Sequence, residues 1–180
     1  TPDRTAIAAL FHTGGTTGLP KVVKQTHLNQ IHAAWSLAQL FDLTEQDVAL
    51  NGFPLFHVGG TTTIGLSVLA AGGHVVMLSP AGLRDPDIVK NIWHFVERYR
   101  ATFIGGVPTS IGAMSEVPVG LCDLSTVRLA FTGGAALPTA IAQRFEERSG
   151  IPLLEQYGMT ESVAAIAATP IHGPHEIGRA

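Results

Sequence analysis

Residues 48–83 contain no Asp, Glu, Lys or Arg. A run of that length either crosses a membrane or is covered by protein on every side. Pro54, Gly59, Gly60, Thr61, Thr62, Thr63, Gly72, Gly73, His74 and Pro80 interrupt it. Such residues break an apolar span, so the run reads as a strand, a buried helix and a second buried strand. The whole chain is only 14% charged, against roughly 25% for ordinary globular domains. That is too little charge to coat a normal surface. One face is therefore expected to be covered by further protein, with a homo-oligomer through that face as one form of cover.

The formal net charge of −3 gives no footprint for nucleic acid or anionic membrane. Cys122 is the single cysteine, so no disulfide forms within the chain and a reducing compartment, the cytoplasm, is expected. No signal peptide is visible: Arg4 precedes only a short apolar run with no small-residue cleavage site after it.

Apolar β-branched runs alternate with segments of helical period. Strands are predicted at 6–11, 22–25, 47–53, 74–78, 102–105, 127–132 and 153–157. Thr26 caps a helix whose buried face carries Ile31, Trp35, Ala38 and Phe41. A buried helix spans 59–71. Asp85 caps another, with Pro86 at its first position and Ile88, Ile92, Phe95 and Tyr99 at helical spacing. Helices at 108–114 and 138–148 follow, the second stopped by Gly150. Such alternation predicts an α/β fold: a mostly parallel sheet with helices on both faces. Ligands of such sheets sit at the carboxyl ends of the strands. Three unusual loops are predicted there: "HTGGTTG", "FTGGAALP" and "YGMTES".

The first loop contains Thr13, Gly14, Gly15, Thr16, Thr17 and Gly18, with Lys21 close behind. Glycines bring main-chain N–H groups close to an anion, threonines add donors and lysine adds charge. By composition it is either a phosphate cradle or a plain turn between two hairpin strands. It is not a P-loop, because Pro20 stands where that motif needs glycine. No G-x-G-x-x-G follows a predicted strand, and there is no G-x-S-x-G elbow.

"HTGGTTGLPK" resembles the signature loop of the adenylate-forming enzymes, which include acyl-CoA synthetases, luciferases and peptide-synthetase adenylation domains. That loop usually reads Ser/Thr-Ser/Gly-Gly-Ser/Thr-Thr-Gly-x-Pro-Lys-Gly. "FPLFHVGG" resembles the family's acyl-pocket motif, and "FTGGAALP" followed by "EQYGMTES" its adenine-binding pair. The matches come in family order and span Thr13 to Ser162.

The resemblance implies an ATP-dependent carboxylate activator. A carboxylate attacks the α-phosphate, pyrophosphate leaves, and a thiol, commonly that of coenzyme A, takes the acyl group. It assigns Thr13, Gly14, Gly15, Thr16, Thr17, Gly18 and Lys21 to the outer phosphates. Tyr157 would lie against adenine, with Gly133, Gly134 and Ala135 as the small-residue wall beside it. Thr160 would touch the α-phosphate and Glu161 would bind Mg²⁺. His57, Gly134, Gly158 and Met159 would face the acid. Without the resemblance, Tyr157 reads as a core tyrosine, Glu161 as a first-turn charge, the 133–135 glycine stretch as a turn, and His57 as a satisfied core histidine. His172 and His175 lack metal-ligand spacing and receive no role.

Two residues depart from the family pattern: Gly14 replaces a common serine and Val22 a common glycine. The family's Thr-Gly-Asp segment and its C-terminal domain with a catalytic lysine have no counterpart in residues 1–180. The resemblance therefore implies one α/β part of the large AMP-binding domain, expected to show little complete turnover alone. No acidic residue stands near His57 to pair a substrate ammonium. Val107, Ile111, Met114, Ala135, Ala136 and Met159 predict an apolar acid pocket. A fatty or aryl acid is expected. An adenylation domain loading a carrier protein, or a non-catalytic phosphate-binding α/β module, are the alternatives.

Overall fold

A computed structural model describes residues 3–13 and 21–172. Its centre is a six-stranded sheet of order β4-β3-β5-β6-β7-β8. β3 is Val48–Asn51, β4 His74–Met77, β5 Phe103–Gly106, β6 Leu129–Gly133 and β7 Leu153–Gly158. All of these pair in parallel. β8, Ala165–Ala168, returns antiparallel along β7. The sequence reading ended its strands at β7 and missed β8, a four-residue edge strand without helical or alternating signal.

Consecutive residues of the strands face opposite cores, as the two-residue pleat requires. Leu50, Ile104, Ala130 and Leu153 pack beneath α3 (Pro86–Lys90), α4 (Ile92–Tyr99), α5 (Pro108–Glu116) and α6 (Thr139–Ser149). Ala49, Phe103, Leu129, Phe131 and Leu154 pack on the other side, against α1 (His27–Leu40) and the helical segment at 59–70. Strands buried on both faces have no place for charge, which explains the uncharged run.

The expected helix at 59–71 is instead π-helical over Gly59–Leu66, continuing as α2, Ser67–Ala70. The Ser67 N–H reaches back five residues to the Thr62 carbonyl. The Asn51 side-chain amide donates to the Gly60 carbonyl at 2.9 Å, so a sheet residue occupies a helix acceptor and favours the wider turn.

Three further expectations change. The first predicted strand, now β1 (Ile7–His12), pairs antiparallel with the expected returning strand, now β2 (Val22–Thr26), but the two form a sheet of their own. β1 therefore does not end at the rim of the main sheet, where the sequence reading expected it. Too few residues lie between β1 and β2 for a parallel crossover. On α1 the buried face is Ala34, Leu37 and Ala38, while Ile31 and Trp35 are 58% and 59% exposed. Small alanines let α1 approach the 59–70 segment closely, and the bulky pair is left on the outside with Leu28. The helix after Asp85 divides at Asn91, whose side-chain amide takes up the Asp87 carbonyl at 2.8 Å. Trp93 and Val96 then join Ile92 in the core, and Tyr99 is exposed. Among the described residues no helix is long and apolar enough to cross a membrane.

Candidate active site

At the carboxyl ends of the parallel strands lies a cleft of about 480 Å³. Thr13 and Lys21 reach it from the mouth of the hairpin, where the Thr13 N–H donates to the Lys21 carbonyl at 3.0 Å. His57 reaches it from the loop after β3, Gly133 and Gly134 from the end of β6, and Gly158, Met159, Thr160 and Glu161 from the end of β7. Gly14, Gly15, Thr16, Thr17 and Gly18 lie outside the described residues.

The turn after β7 is built tightly. A Cβ on Gly158 would stand 2.1 Å from the Ala164 carbonyl oxygen, so only glycine lets the returning chain pass. Val163 is held at φ +73°, uncommon for a β-branched residue and a cost of order 1–3 kcal/mol. This closes the short 3₁₀ turn Thr160–Ser162, which brings Glu161 to the cleft at the carboxyl rim of the sheet. Among the described residues nothing pairs with the Glu161 carboxylate. It is an oxygen donor open to the cleft, which suits a hard cation shared with phosphate oxygens.

One hydrogen bond ties the hairpin to this turn. Gln25 on β2, 1% exposed, donates from Nε2 to the Thr160 carbonyl at 3.1 Å, and its Oε1 accepts from Gln30 at 3.3 Å. Sequence reading passed over Gln25, since nothing local marks a contact between residues 135 positions apart. Gln25→Leu leaves the Thr160 carbonyl short of a buried donor, a loss of about 1–3 kcal/mol. Thermal unfolding should show Tm lowered by roughly 3–10 °C, and nucleotide titration a weaker affinity. An unchanged affinity would mean that this bond does not register the hairpin on the cleft.

His57 is oriented by its own turn. Its Nδ1 accepts from the Gly59 N–H at 3.0 Å, which places the ring proton on Nε2. Desolvation at the cleft wall lowers the imidazole pKa from its ordinary value, which favours the neutral ring with its N–H donor at Nε2. Beside it Phe53 and Phe131 stack with centroids 5.8 Å apart and planes 17° from parallel. With Val58 and Val107 they form the apolar wall.

Some expected pocket residues lie elsewhere. Ile111 and Met114 are 0% and 1% exposed, inside the core under α5, and do not line the cleft. Helical periodicity places them on the sheet-facing side of α5. Ala135, Ala136 and Tyr157 are exposed and outside the cleft lining. Gly133 pairs in register with Gln156. Tyr157 therefore stands one residue beyond that pair, still within β7, and Ala135 two residues beyond it, past the end of β6. Gly134 makes the exit from β6 with φ +86°, a left-handed conformation that favours glycine.

Gln156 was not foreseen. It lines the cleft, and its buried Oε1 has no hydrogen-bond partner among the described residues. The alternation of β7 carried the signal, since Gln156 shares a face with core residue Leu154. Of the two terminal histidines, His172 sits on the surface 3.1 Å from Asp42, and His175 lies outside the described residues.

The chain matches the AMP-binding enzyme family over residues 1–180. It is 33% identical over 176 residues to the marinolic acid–CoA ligase of Pseudoalteromonas sp. (strain SANK 73390), covering 95% of this chain and 27% of that protein. It is 33% identical over 179 residues to the long-chain-fatty-acid–CoA ligase of Bacillus subtilis (strain 168), covering 96% and 30%. ATP-bound MatB from Rhodopseudomonas palustris superposes with a TM-score of 0.82 at 27% identity, over 96% of this chain and 33% of that one. The chain thus spans about a third of the length of these relatives. Both strand-end turns, the β1–β2 hairpin and the sheet that positions the turns fall within the match, and the chain belongs to the AMP-binding enzyme family.

Proposed function

We propose that this chain forms the nucleotide- and acid-binding wall of an ATP-dependent acid–thiol ligase. It would activate a carboxylic acid as an acyl-adenylate and pass it to coenzyme A. The observation that carries this reading is one cleft shared by Thr13, Lys21, His57, Gly133, Gly134, Thr160 and Glu161. Lys21 supplies a positive charge for the outer phosphates beside the glycine loop, as a compact mobile ammonium. Thr160 stands at the α-phosphate position. The exposed ring of Tyr157, with Gly134 and Ala135 opposite, offers a face to adenine. Glu161 would hold Mg²⁺, which when bound neutralises charge on the phosphates and the departing pyrophosphate. His57 donates its Nε2 proton toward the acid carboxylate, orienting it for attack.

The stacked Phe53 and Phe131 with Val58 and Val107 favour an apolar tail, a fatty or aryl acid, and a role in fatty acid metabolism. The buried Gln156 Oε1 favours members of that class with one hydrogen-bond donor on the tail, because an all-apolar tail leaves it unpaired. The chain is read as part of the large AMP-binding domain of a longer enzyme. Its lone cysteine suits the cytoplasm.

Calorimetric titration with ATP, an acyl-adenylate and inorganic phosphate tests the reading. ATP and acyl-adenylate should bind one site and compete. Binding of phosphate alone would leave only a phosphate-binding module. In the whole enzyme, acid-dependent pyrophosphate release followed by acyl transfer to coenzyme A is expected. Transfer only to a carrier protein would make it an adenylation domain.

A further inference from the structure

Away from the cleft, three side chains of different chemistry converge on one point. His94 and Glu97 stand one turn apart on α4 and so share a face. Cys122, in the loop between α5 and β6, brings its Sγ to 3.4 Å from His94 Nδ1. One ligand atom from each of the three lies within 4.8 Å of the others.

The loop that carries Cys122 is fixed to α4 and the chain just after it. Trp93 Nε1 donates to the Val117 carbonyl at 2.9 Å, the Asp123 N–H to Glu97 Oε1 at 3.0 Å, and Thr126 Oγ1 to the Ala101 carbonyl at 2.8 Å. Gly120, at φ +63°, makes the turn that sets Cys122 over the helix, with the Cys122 N–H on the Val119 carbonyl at 3.2 Å. The contact from Asp123 orients the Glu97 carboxylate and leaves its second oxygen free to ligate, the kind of outer support that fixes metal ligands.

We propose that His94, Glu97 and Cys122 form a binding site for a divalent transition cation of the zinc class. Imidazole nitrogen, thiolate sulfur and carboxylate oxygen are the donors such an ion takes, and three protein ligands leave a fourth tetrahedral position for water. Magnesium and calcium prefer oxygen alone and are not expected there. Binding breaks the Cys122 S–H bond, forms a metal–sulfur bond and releases one proton to solvent. Affinity therefore falls as pH is lowered and more protons compete for the ligands. A plain cysteine–histidine contact holding the loop on α4 would show none of this.

Titration of the metal-free protein with cobalt(II) as a zinc surrogate provides the test. One equivalent should give a sulfur-to-cobalt charge-transfer band in the near ultraviolet together with tetrahedral visible bands. Zinc should displace the cobalt and excess magnesium should not. Cys122 is the chain's single cysteine, so a sulfur band can come from no other residue, and a cation at Glu161 gives none. Cys122→Ser should abolish the band, and His94→Ala should weaken binding at least about tenfold. Zinc should also raise Tm for the original protein and not for Cys122→Ser. Absence of the sulfur band in the unaltered protein overturns the proposal without reference to any variant.

Discussion

Replacing Glu161 by alanine should cut acid-dependent pyrophosphate release by the whole enzyme about 10²–10³-fold, the range for loss of one electrostatic contact to a charge-developing centre. The carboxylate is exposed at the cleft edge and has no partner among the described residues, so its removal breaks no contact that holds the fold. The loss should fall mainly on kcat, because charge builds on the α-phosphate and the leaving pyrophosphate in the transition state. Raising the magnesium concentration should recover part of the Glu161→Gln activity, as expected for a weakened cation site. Lys21→Ala should be milder, about tenfold, and should raise the KM for ATP, since a mobile ammonium adds binding more than orientation. Equal rates for the original enzyme and both variants would remove the site assignment while leaving the fold untouched.

Arg128→Ala should cost about 1–3 kcal/mol, because it takes the guanidinium from a buried carboxylate; Arg128 itself is 36% exposed, so solvent replaces part of what is lost. Asp47 is 1% exposed. It accepts from Arg128 Nε and Nη2 at 2.8 and 2.7 Å, from Thr102 Oγ1 at 2.6 Å and from the Thr44 N–H at 2.7 Å. Arg128 also donates to the Phe41 and Asp42 carbonyls at 3.1 and 3.0 Å. These groups stand at the amino ends of β3, β5 and β6 and at the end of α1, so the cluster staples the sheet at the end opposite the cleft.

Burial alone would raise the Asp47 pKa. The Arg128 and Thr102 hydrogen bonds and the Thr44 N–H outweigh it and hold the carboxyl below its ordinary range. A depressed carboxylate pKa contributes stability that is present above the unfolded-state value and lost as pH falls through the folded one. Without Arg128 the burial penalty remains, the Asp47 pKa rises, and the acid-side loss should shrink. Denaturant unfolding at neutral and acid pH reads both effects. A variant within about 1 kcal/mol of the original at neutral pH, the exposed-pair range, would show that the cluster is solvated and not a staple.

The positions of the two glycine turns were legible because family motifs and local pattern coincide. "FTGGAALP" and "EQYGMTES" each end a strand that periodicity also marks, so both turns could be placed at the carboxyl rim before any coordinates. Gly158 and Gly134 stand where close passage and a left-handed backbone require glycine. Pocket depth was not legible. Ile111, Met114 and Val107 are equally apolar in sequence, and only the packing of α5 sends the first two into the core and Val107 to the cleft.

The sequence by itself determined the parallel α/β class and the two strand-end turns. Those follow from alternation of apolar residues and from glycines, signals that extend over a few positions. The tertiary structure alone decided that the first two strands leave the main sheet as a hairpin, and that Gln25 docks it on Thr160. It also decided that Arg128 neutralises Asp47, that Gln156 lines the cleft, and that Cys122 meets His94. Each is a contact between residues far apart along the chain, made by polar groups whose partners are selected by burial. Local pattern carries no record of such partners, because they come together only when the hydrophobic faces of separate elements close on one another.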